Sequence, residues 1–506
     1  MDESKMNESN HLDLNEVMRS RRDKMNQLLA KQINPFAYFF ERTAAAAEIL
    51  ERYTDFEGKE VALAGRIMSL RRMGKATFAH LMDVSGRIQI YIRRDVLSET
   101  QTEIYSRLDI GDILGVAGTV FRTRTDEITI QVKSMQMLTK NLRPLPVVKE
   151  RVEDGVKVTY DAFADMEMRY RQRYVDLIVN EPVRQLFFKR SRIIRQMRSF
   201  LDDRGYLEVE TPVLQPLYGG ASARPFTTHH NALDITLYMR IADELYLKRL
   251  IVGGYEGVYE ISKDFRNEGI DRTHNPEFTM MELYVAYKDY NFMMDLVEEM
   301  VNEIAVGVTG SDQIVYQGQS INLKPPWPRL AFFDAIEQWT GIQLYSRDRN
   351  ELAAAAGKIG VAIEPHWDGG KILDEIFSEK VEPNLIQPVF ICDYPVELSP
   401  LAKRHRDDVQ LVERFEPYIA GREIGNAFSE LNDPIDQRRR FESQDALRAA
   451  GDEEAHRLDE DFIRALEYGM PPTAGLGMGV DRLVMLLTDA SSIRDVIFFP
   501  TMRPED

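Results

Sequence analysis

The segment GVYEISKDFRNEGIDRTHNPEFTMMELYVAY, residues 257–287, carries the strongest fold signal in the chain. Two alternating runs, 257–266 and 277–287, flank a polar loop, which predicts a hairpin of two long strands. Side chains two positions apart on a strand share a face, so one face of the second strand carries Phe278, Met280, Glu282 and Tyr284. A carboxylate and a phenol beside an aromatic ring are unusual for a core face. The pattern therefore predicts the wall of a polar pocket.

The rest of the hairpin adds groups that suit phosphate. On the first strand we expect Arg266 and Glu268 to share a face, and the loop supplies Arg272, His274 and Asn275. Arginine and histidine form charge-assisted hydrogen bonds with phosphate oxygens.

Around this hairpin, helices alternate irregularly with strands. The periodicity predicts helices at 180–204, 240–251, 292–307, 330–338, 371–380 and 437–468. It predicts further strands at 387–393 and 421–430. Strands often follow strands, which favours an antiparallel sheet with flanking helices over βαβ repeats.

The preceding region differs in character. Short alternating runs lie at 61–70, 76–83, 87–94, 112–123 and 127–138, with a short helix at about 96–108. Five strands with one inserted helix predict a small closed barrel of the oligonucleotide-binding (OB) type. On its outer face we expect Phe78 with His80, and Gln89 with Tyr91. Exposed rings near arginines suit stacked single-stranded bases, and the alternative is a buried Phe78 on an ordinary solvated sheet.

Composition narrows the class of protein. The 506 residues carry 64 Lys+Arg and 82 Asp+Glu, a net charge of −18, and a single cysteine, Cys392. We therefore expect a cytoplasmic protein with no disulfide framework, no Cys-rich zinc site and no membrane partner. A phosphate-binding G-x-x-x-x-G-K-[ST] motif is absent, and in GLGMGVDR the third glycine of a dinucleotide fingerprint is replaced by Val480. A helix at 14–32 has a basic side, which is either a solvated face or a polyanion contact.

Several segments together resemble the class II aminoacyl-tRNA synthetases. GYLEVETPVL (205–214), the hairpin and GLGMGVDRLVML (475–486) are similar to the three signature motifs of that class. RYRQRYVDL (169–177), GREIGNAFSELNDP (421–434) and IRDVIFFPTMRP (493–504) match the lysyl branch of the family. AGRIMSLRRMGKATF (64–78) and DVSGRIQIY (83–91) match its OB region. The resemblance runs from about 58 to 504.

The resemblance implies an α+β fold, with an N-terminal OB-fold β-barrel followed by a class II catalytic domain built on an antiparallel sheet flanked by helices. It implies an N-terminal helical extension (1–55), an anticodon-binding barrel (56–140), a linker (141–165) and a catalytic domain (166–506). It also implies a ligase that activates L-lysine with ATP and esterifies the terminal adenosine of tRNA(Lys), with Mg²⁺ as cofactor, as a homodimer.

Site residues follow from the same resemblance. The implied catalytic residues are Arg266 and Arg482. The implied ATP contacts are Arg266, Glu268, His274, Asn275, Phe278, Glu423 and Arg482, with Arg272 as an alternative loop cation for the pyrophosphate. The implied lysine contacts are Gly220, Glu244, Glu282, Tyr284, Asn426, Phe428 and Glu430, with Glu282 expected at the ε-ammonium group. The implied anticodon contacts are Phe78, Gln89 and Glu127, and Pro212 is expected at the dimer interface.

Glu423 and Glu430 are the implied magnesium ligands. Their odd spacing would put them on opposite faces of a regular strand, so a bulge near Gly425 is expected. The alternative is that one of the two carboxylates only pairs with Arg422.

Two other functions stay open on the sequence. A relative that attaches an amino acid to a protein would share only the catalytic part, and the barrel at 60–138 argues against it. A non-catalytic RNA-binding regulator would have lost Arg266, Glu423 or Arg482, and all three are present.

Overall fold

A computed structural model describes residues 16–146, 149–153, 156–160, 163–344, 348–365, 367–449 and 457–505. The chain divides into two compact units, Met1–Ala164 and Asp165–Asp506. Among the described residues, no helix is both long enough and apolar enough to cross a membrane.

The first unit is built on a five-stranded closed barrel with the strand order β1-β2-β3-β5-β4. Its strands are β1 (Glu60–Met73), β2 (Ala76–Met82), β3 (Arg87–Arg93), β4 (Ile113–Arg122) and β5 (Ile128–Thr139), followed by the hairpin β6 (Lys149–Glu153) and β7 (Val156–Tyr160). Its helices are α1 (Glu16–Ala30), α2 (Ala46–Glu51), α3 (Tyr53–Phe56) and α4 (Glu99–Ser106). Alternation puts Ile88, Ile90 and Ile92 into the barrel core. The hairpin β6–β7 lies inside the stretch that the sequence indicates as a linker.

The basic side of α1 is partly used within this unit. Arg21 is buried and its Nη2 donates to the carbonyl of Ile110 at 2.9 Å. Lys24 forms an ion pair with Asp109 at 2.5 Å. Arg21 is therefore not on a solvated face, and the two interpretations stay open for the rest of the basic side of α1.

The second unit is built on a nine-stranded sheet with the order β16-β17-β18-β20-β21-β13-β12-β8, and β19 pairs with β18. Its strands are β8 (Leu207–Glu208), β9 (Leu214–Gln215), β10 (Thr227–His230), β11 (Ile235–Met239), β12 (Gly257–Phe265), β13 (Glu277–Ala286), β14 (Gln313–Tyr316), β15 (Gln319–Asn322), β16 (Arg329–Ala331), β17 (Val389–Pro395), β18 (Leu411–Ile419), β19 (Arg422–Glu423), β20 (Gly425–Ser429) and β21 (Thr473–Gly479). The strands from β17 to β12 pair antiparallel, and the edge strands β16 and β8 pair parallel.

Helices cover both faces of this sheet. They are α5 (Met166–Arg171), α6 (Arg173–Val179), α7 (Glu181–Asp202), α8 (Glu244–Val252), α9 (Tyr290–Thr309), α10 (Phe332–Thr340), α11 (Arg349–Lys358), α12 (Gly369–Lys380), α13 (Pro434–Ala449), α14 (Glu460–Glu467), α15 (Val480–Thr488) and α16 (Ile493–Val496). Met281 and Leu283 of β13 pack into one core, while Tyr284 points into the core on the opposite face.

Two sequence predictions are wrong here. One helix over 437–468 does not form, because a separate helix begins at Glu460, where Asp459 caps it by accepting from the amide of Phe462 at 2.9 Å. The strand β12 ends at Phe265, so Arg266 and Glu268 lie in the loop and not on the strand. The part of the predicted helix at 450–456 lies outside the described residues.

Candidate active site

A cavity of about 380 Å³ opens on the face of the sheet that carries Glu282 and Tyr284. Its floor is β21, where Gly475 and Gly477 alternate with the buried Leu476. In the strand register, Gly477 lies between Glu282 and Asn426, and Gly475 lies between Tyr284 and Phe428. Because neighbouring strands lie about 4.8 Å apart, two side-chain walls stand roughly 10 Å apart over a floor without side chains.

The glycine floor is required by close packing. A Cβ on Gly475 would overlap the carboxylate of Glu430 and the ring of Tyr284, and one on Gly477 would approach the Cε of Met280 to 3.3 Å. These glycines therefore make room for the pocket's own side chains.

The two acidic wall residues differ in their partners. Glu282 is 5% exposed and accepts hydrogen bonds from the amide of Asp243 and the hydroxyl of Tyr284, both at 3.0 Å. Burial, together with the charges of Asp243 and other neighbouring carboxylates, raises its pKa well above the ordinary value. Glu282 therefore faces the cavity as a carboxyl group whose ionised form is disfavoured until a cation pairs with it.

Glu244, by contrast, is part of a buried chain of charges. The ammonium group of Lys248 forms ion pairs with both Glu244 and Glu430, and all three residues are buried. These two carboxylates hold the pKa of Lys248 above its ordinary value against the effect of burial. Gly220 packs against Glu244, since a Cβ there would lie 3.1 Å from the Cβ of Glu244.

The other end of the cavity holds cations and a ring. The guanidinium carbon of Arg266 lies 5.1 Å from the centre of the Phe278 ring. Within the described part of the chain, the buried Nε of Arg266 has no hydrogen-bond partner. Arg482 donates from Nη1 to Glu423, to the carbonyl at 2.8 Å and to Oε2 at 3.0 Å. This end can bind an anionic group and stack a flat ring.

The loop between the two hairpin strands is held by Asp271. This carboxylate accepts from the amides of Thr273 and His274 at 2.6 and 2.7 Å and from Nδ1 of His274 at 2.8 Å. Burial alone would raise the pKa of Asp271, but these hydrogen bonds hold it well below the ordinary range. Thr273, His274 and Asn275 line the cavity as a result. Of the two loop cations that the sequence offers, His274 is the one the structure brings to the cavity.

A bulge lies where the odd spacing of Glu423 and Glu430 predicts one. Tyr418 pairs with Glu423 and Phe415 pairs with Ala427, so three steps along β18 match four steps along its partner. The extra residue puts Glu423 on the same face as Asn426 and Phe428.

The predicted metal pair is Glu423 with Glu430, but only Glu423 lines the cavity. Glu430 is 1% exposed, is bound to Lys248 and is not part of the cavity lining. Glu416 does line the cavity and accepts from Tyr394 and Tyr418 at 2.8 and 2.7 Å. Burial raises the pKa of Glu416, and the charge of Glu423 adds to that rise.

Glu416 and Arg414 line the cavity but were not predicted from the sequence. Arg414 donates to Glu416 at 2.5 Å and to Asn426 at 2.9 Å. A signal was available in β18, because charged residues at 414 and 416 alternate with the buried Phe415 in VERFEPYI. Apart from Glu430 and the alternative loop residue Arg272, all residues predicted for ATP or lysine line the cavity. They are Gly220, Glu244, Arg266, Glu268, His274, Asn275, Phe278, Glu282, Tyr284, Glu423, Asn426, Phe428 and Arg482.

The barrel forms a separate candidate site on its outer face. The rings of Phe78 and Tyr91 lie 4.9 Å apart and those of Tyr91 and Phe121 lie 6.3 Å apart. Gln89 is buried and donates to Glu127 at 2.6 Å, while it accepts from Thr129 at 2.8 Å. The predicted contacts Phe78 and Glu127 therefore lie on a surface with two further aromatic rings, whereas Gln89 is buried, with its amide bonded to Glu127 and Thr129.

Comparison with known proteins matches this arrangement. Residues 165–503 match the family of class II tRNA synthetases for D, K and N, and residues 61–138 match the OB-fold nucleic acid binding domain. A lysine–tRNA ligase from Moorella thermoacetica is 56% identical over 97% of this chain and 99% of its own length. Those from Pelotomaculum thermopropionicum and Carboxydothermus hydrogenoformans are 55% and 54% identical, each over 98% of this chain and over 96% and 100% of their own lengths. The predicted α+β class, with an OB barrel before a class II catalytic domain, is confirmed, and the chain belongs to the lysine–tRNA ligases of the class II aminoacyl-tRNA synthetases.

Proposed function

We propose that the trough over Gly475 and Gly477 binds L-lysine, and that the adjoining end with Arg266 and Arg482 binds ATP. The observation that carries this assignment is the wall of Glu282 and Tyr284 facing Asn426 and Phe428 across a glycine floor. An extended aliphatic chain fits between such walls, and Glu282 offers a buried charge to the ε-ammonium group. Glu244 and Gly220 lie where the α-amino group would enter.

The first reaction joins lysine to AMP. The carboxylate of lysine attacks the α-phosphorus of ATP in line, and the bond to pyrophosphate breaks. Two anions approach each other, so cations must stabilise the charge that develops. Arg266 serves the α-phosphate with its free Nε donor. His274 and its loop neighbour Asn275 are assigned to the pyrophosphate side, and Glu268 is assigned to ATP as a hydrogen-bond acceptor.

Adenine binding is assigned to Phe278 and Arg482. In the structure Arg266 lies over the Phe278 ring, which has a face suited to stacking. Glu423 fixes the Arg482 guanidinium through two hydrogen bonds. A fixed planar cation and a ring bind a purine with little ordering cost.

The second reaction transfers lysine to tRNA. A ribose hydroxyl of the terminal adenosine attacks the carbonyl carbon, and AMP leaves. Neither reaction needs a nucleophilic side chain, so positioning and electrostatics carry the rate. Phe78, Gln89 and Glu127 on the barrel are assigned to the anticodon, together with Tyr91, because stacked rings accept single-stranded bases.

Magnesium is assigned to Glu416 and Glu423 in place of the pair with Glu430. The donor set fits, since Mg²⁺ prefers hard carboxylate oxygens and uses few protein ligands when phosphates share it. Both carboxylates line the cavity, and their mutual repulsion would be relieved by a dication. When bound, Mg²⁺ would neutralise phosphate charge.

The homodimer is assigned to the surface around Pro212. Pro212 is exposed, and the apolar residues beside it are also exposed: Leu207 by 46%, Val213 by 39%, Leu214 by 47% and Leu217 by 36%. Several exposed apolar residues within one short segment of the chain are typical of an interface between copies.

We also assign the reaction to the cytoplasm, where a free buried thiol such as that of Cys392 stays reduced.

The test is ATP–pyrophosphate exchange with each of the twenty amino acids in turn, followed by charging of tRNA. We expect exchange with lysine far above the others, and charging of tRNA(Lys). Exchange with lysine but no charging of any tRNA would instead support a relative that modifies a protein. Exchange with another amino acid would contradict the lysine assignment.

A further inference from the structure

Behind the Glu282 wall, three buried carboxylates contact one guanidinium group. Arg240 contacts Asp243 at 3.0 Å and Glu260 at 2.7 Å through Nη1, and Asp264 at 3.5 Å through Nε. Carboxylate oxygens of Asp243, Asp264 and Glu282 all lie within 4.8 Å of one another. Each of these residues is 5% exposed or less. We name Asp243, Asp264 and Glu282 the buried acidic triad.

The strand register explains how the triad forms. Glu260 on β12 lies directly opposite Glu282 on β13, so Glu260 and Asp264 project onto the cavity face. Asp243 occupies the N-cap position of α8, where its side chain makes no capping hydrogen bond. Its carboxylate accepts from the hydroxyl of Ser262 at 2.6 Å, and its backbone amide donates to Glu282. Asp243 therefore joins the loop before α8 to the recognition carboxylate.

The triad carries more acidic groups than its cation can neutralise. Ionised carboxylates out of water are costly unless they are paired, and buried like charges disfavour one another. Burial and the neighbouring carboxylates raise the pKa of Asp243 to about 8 and that of Asp264 to about 6. Neither oxygen of Asp264 accepts a hydrogen bond from the described residues.

Other titratable and charged groups also face Glu282 or its neighbours. They are Tyr284 on its own strand, Glu260 on β12, Glu244 and Lys248 on α8, Arg240 before α8, Arg266 in the hairpin loop, Arg414 on β18 and Glu430 after β20. Lys248 is already shared by Glu244 and Glu430, and Arg240 by three other carboxylates. No ion pair to Glu282 is found among the described residues, so its charge depends on the triad.

We propose that Asp243 and Asp264 are positioning residues for lysine recognition, which hold a proton with Glu282 in the empty cavity and release it to solvent when a lysine ammonium group arrives. The ammonium group keeps its own proton, and the triad loses one, so the charge gained by the cavity is balanced by the charge expelled. This inference rests on the proposed role of Glu282. A proton fits the triad better than a metal ion, because the guanidinium of Arg240 already lies against two of its carboxylates.

The physical consequence is a pH-dependent affinity for lysine. Binding that releases protons becomes stronger as pH rises, and one proton released per lysine gives a tenfold gain per pH unit. Between pH 6 and 7.5 we expect the association constant of wild-type protein to rise about three- to tenfold per unit. A purely structural role for Asp243 would alter affinity equally at every pH.

The experiment is calorimetric titration of the full-length protein with L-lysine across this pH range, in two buffers of different ionisation enthalpy, to count released protons. Asp243→Asn and Asp264→Asn each remove one titratable group at constant shape and should cut the proton count to less than half. Asp393→Asn is the matched control, because Asp393 also has a raised pKa but is not part of the triad, and its carboxylate accepts from the hydroxyl of Tyr290 at 3.2 Å; it should keep the wild-type count. Circular dichroism checks folding, and Asp264→Asn carries the test if Asp243→Asn unfolds.

The outcomes separate the two proposals. Lysine binding by wild-type protein without proton release, variants with an unchanged proton count, or an equal loss in Asp393→Asn would each overturn the role of the triad and leave the lysine pocket standing. Failure of L-lysine to bind at all would overturn the pocket assignment, and the triad's role with it.

Discussion

Replacing Glu282 by glutamine isolates the charge in the proposed lysine site. The side chain is almost fully buried and accepts from the Asp243 amide and the Tyr284 hydroxyl. Glutamine keeps the shape and both partners, because its carbonyl oxygen can accept from the Asp243 amide while its NH₂ group donates to the Tyr284 oxygen. What disappears is the charge-assisted hydrogen bond to the ammonium group. Such bonds contribute about 1.5–3 kcal/mol, so kcat/KM for lysine should fall roughly 10- to 150-fold.

Steady-state ATP–pyrophosphate exchange with lysine, ornithine and arginine measures this effect. The KM for ATP should stay unchanged, because the adenine and phosphate contacts are elsewhere in the cavity. Ornithine is one methylene shorter, and the gap between lysine and ornithine should narrow in the variant, since less of the specific contact remains to be lost. Glu298→Gln is the matched control: Glu298 is also buried and accepts a backbone amide, that of Trp327 at 2.7 Å, but it lies outside the cavity lining. An unchanged kcat/KM for lysine in Glu282→Gln would refute the reasoning and move recognition to Glu244.

Three further predictions follow from the same geometry. Glu416→Gln and Glu423→Gln should each raise the Mg²⁺ concentration for half-maximal exchange about tenfold or more. Glu430→Gln should raise the KM for lysine and leave that Mg²⁺ concentration unchanged. If Glu430→Gln alone changed the Mg²⁺ concentration, Glu430 would belong to the metal site. Phe78→Ala should weaken tRNA binding by about 1–3 kcal/mol and leave exchange unchanged, and an equal fall in both would make Phe78 a structural residue. Gly475→Ala should lower kcat/KM for lysine more than tenfold with little change in the KM for ATP, because a Cβ there overlaps Glu430 and Tyr284. The control is Gly357→Ala, since a Cβ on this residue of α11 would meet open space. Similar kinetics for the two variants would contradict the importance of packing at Gly475.

Alternation along the chain predicted the parts of the site that depend on strand geometry. It put Phe278, Met280, Glu282 and Tyr284 on one face, and the odd spacing of Glu423 and Glu430 predicted the bulge. Both follow from the two-residue period of a strand, which is a local property. The same alternation wrongly extended the first hairpin strand to Arg266, because periodicity does not mark the residue at which a strand ends.

The parts that were missed depend on partners far away in the sequence. Glu430 is taken out of the cavity by Lys248 on α8, and no local pattern connects the two. Glu416 reaches the cavity because β18 pairs with β20, and Asp243 joins Glu282 only because α8 begins beside the hairpin. Such contacts are set by the order of strands in the sheet, and the spacing of residues within one segment carries no information about that order.

A crystal structure with bound L-lysine tests the central assignment most directly. The assignment predicts the aliphatic chain over Gly475 and Gly477, with the ε-ammonium nitrogen about 2.7–2.9 Å from the Glu282 carboxylate and within hydrogen-bond reach of the Tyr284 hydroxyl. Lysine bound in the reverse direction, or outside this trough, would contradict it.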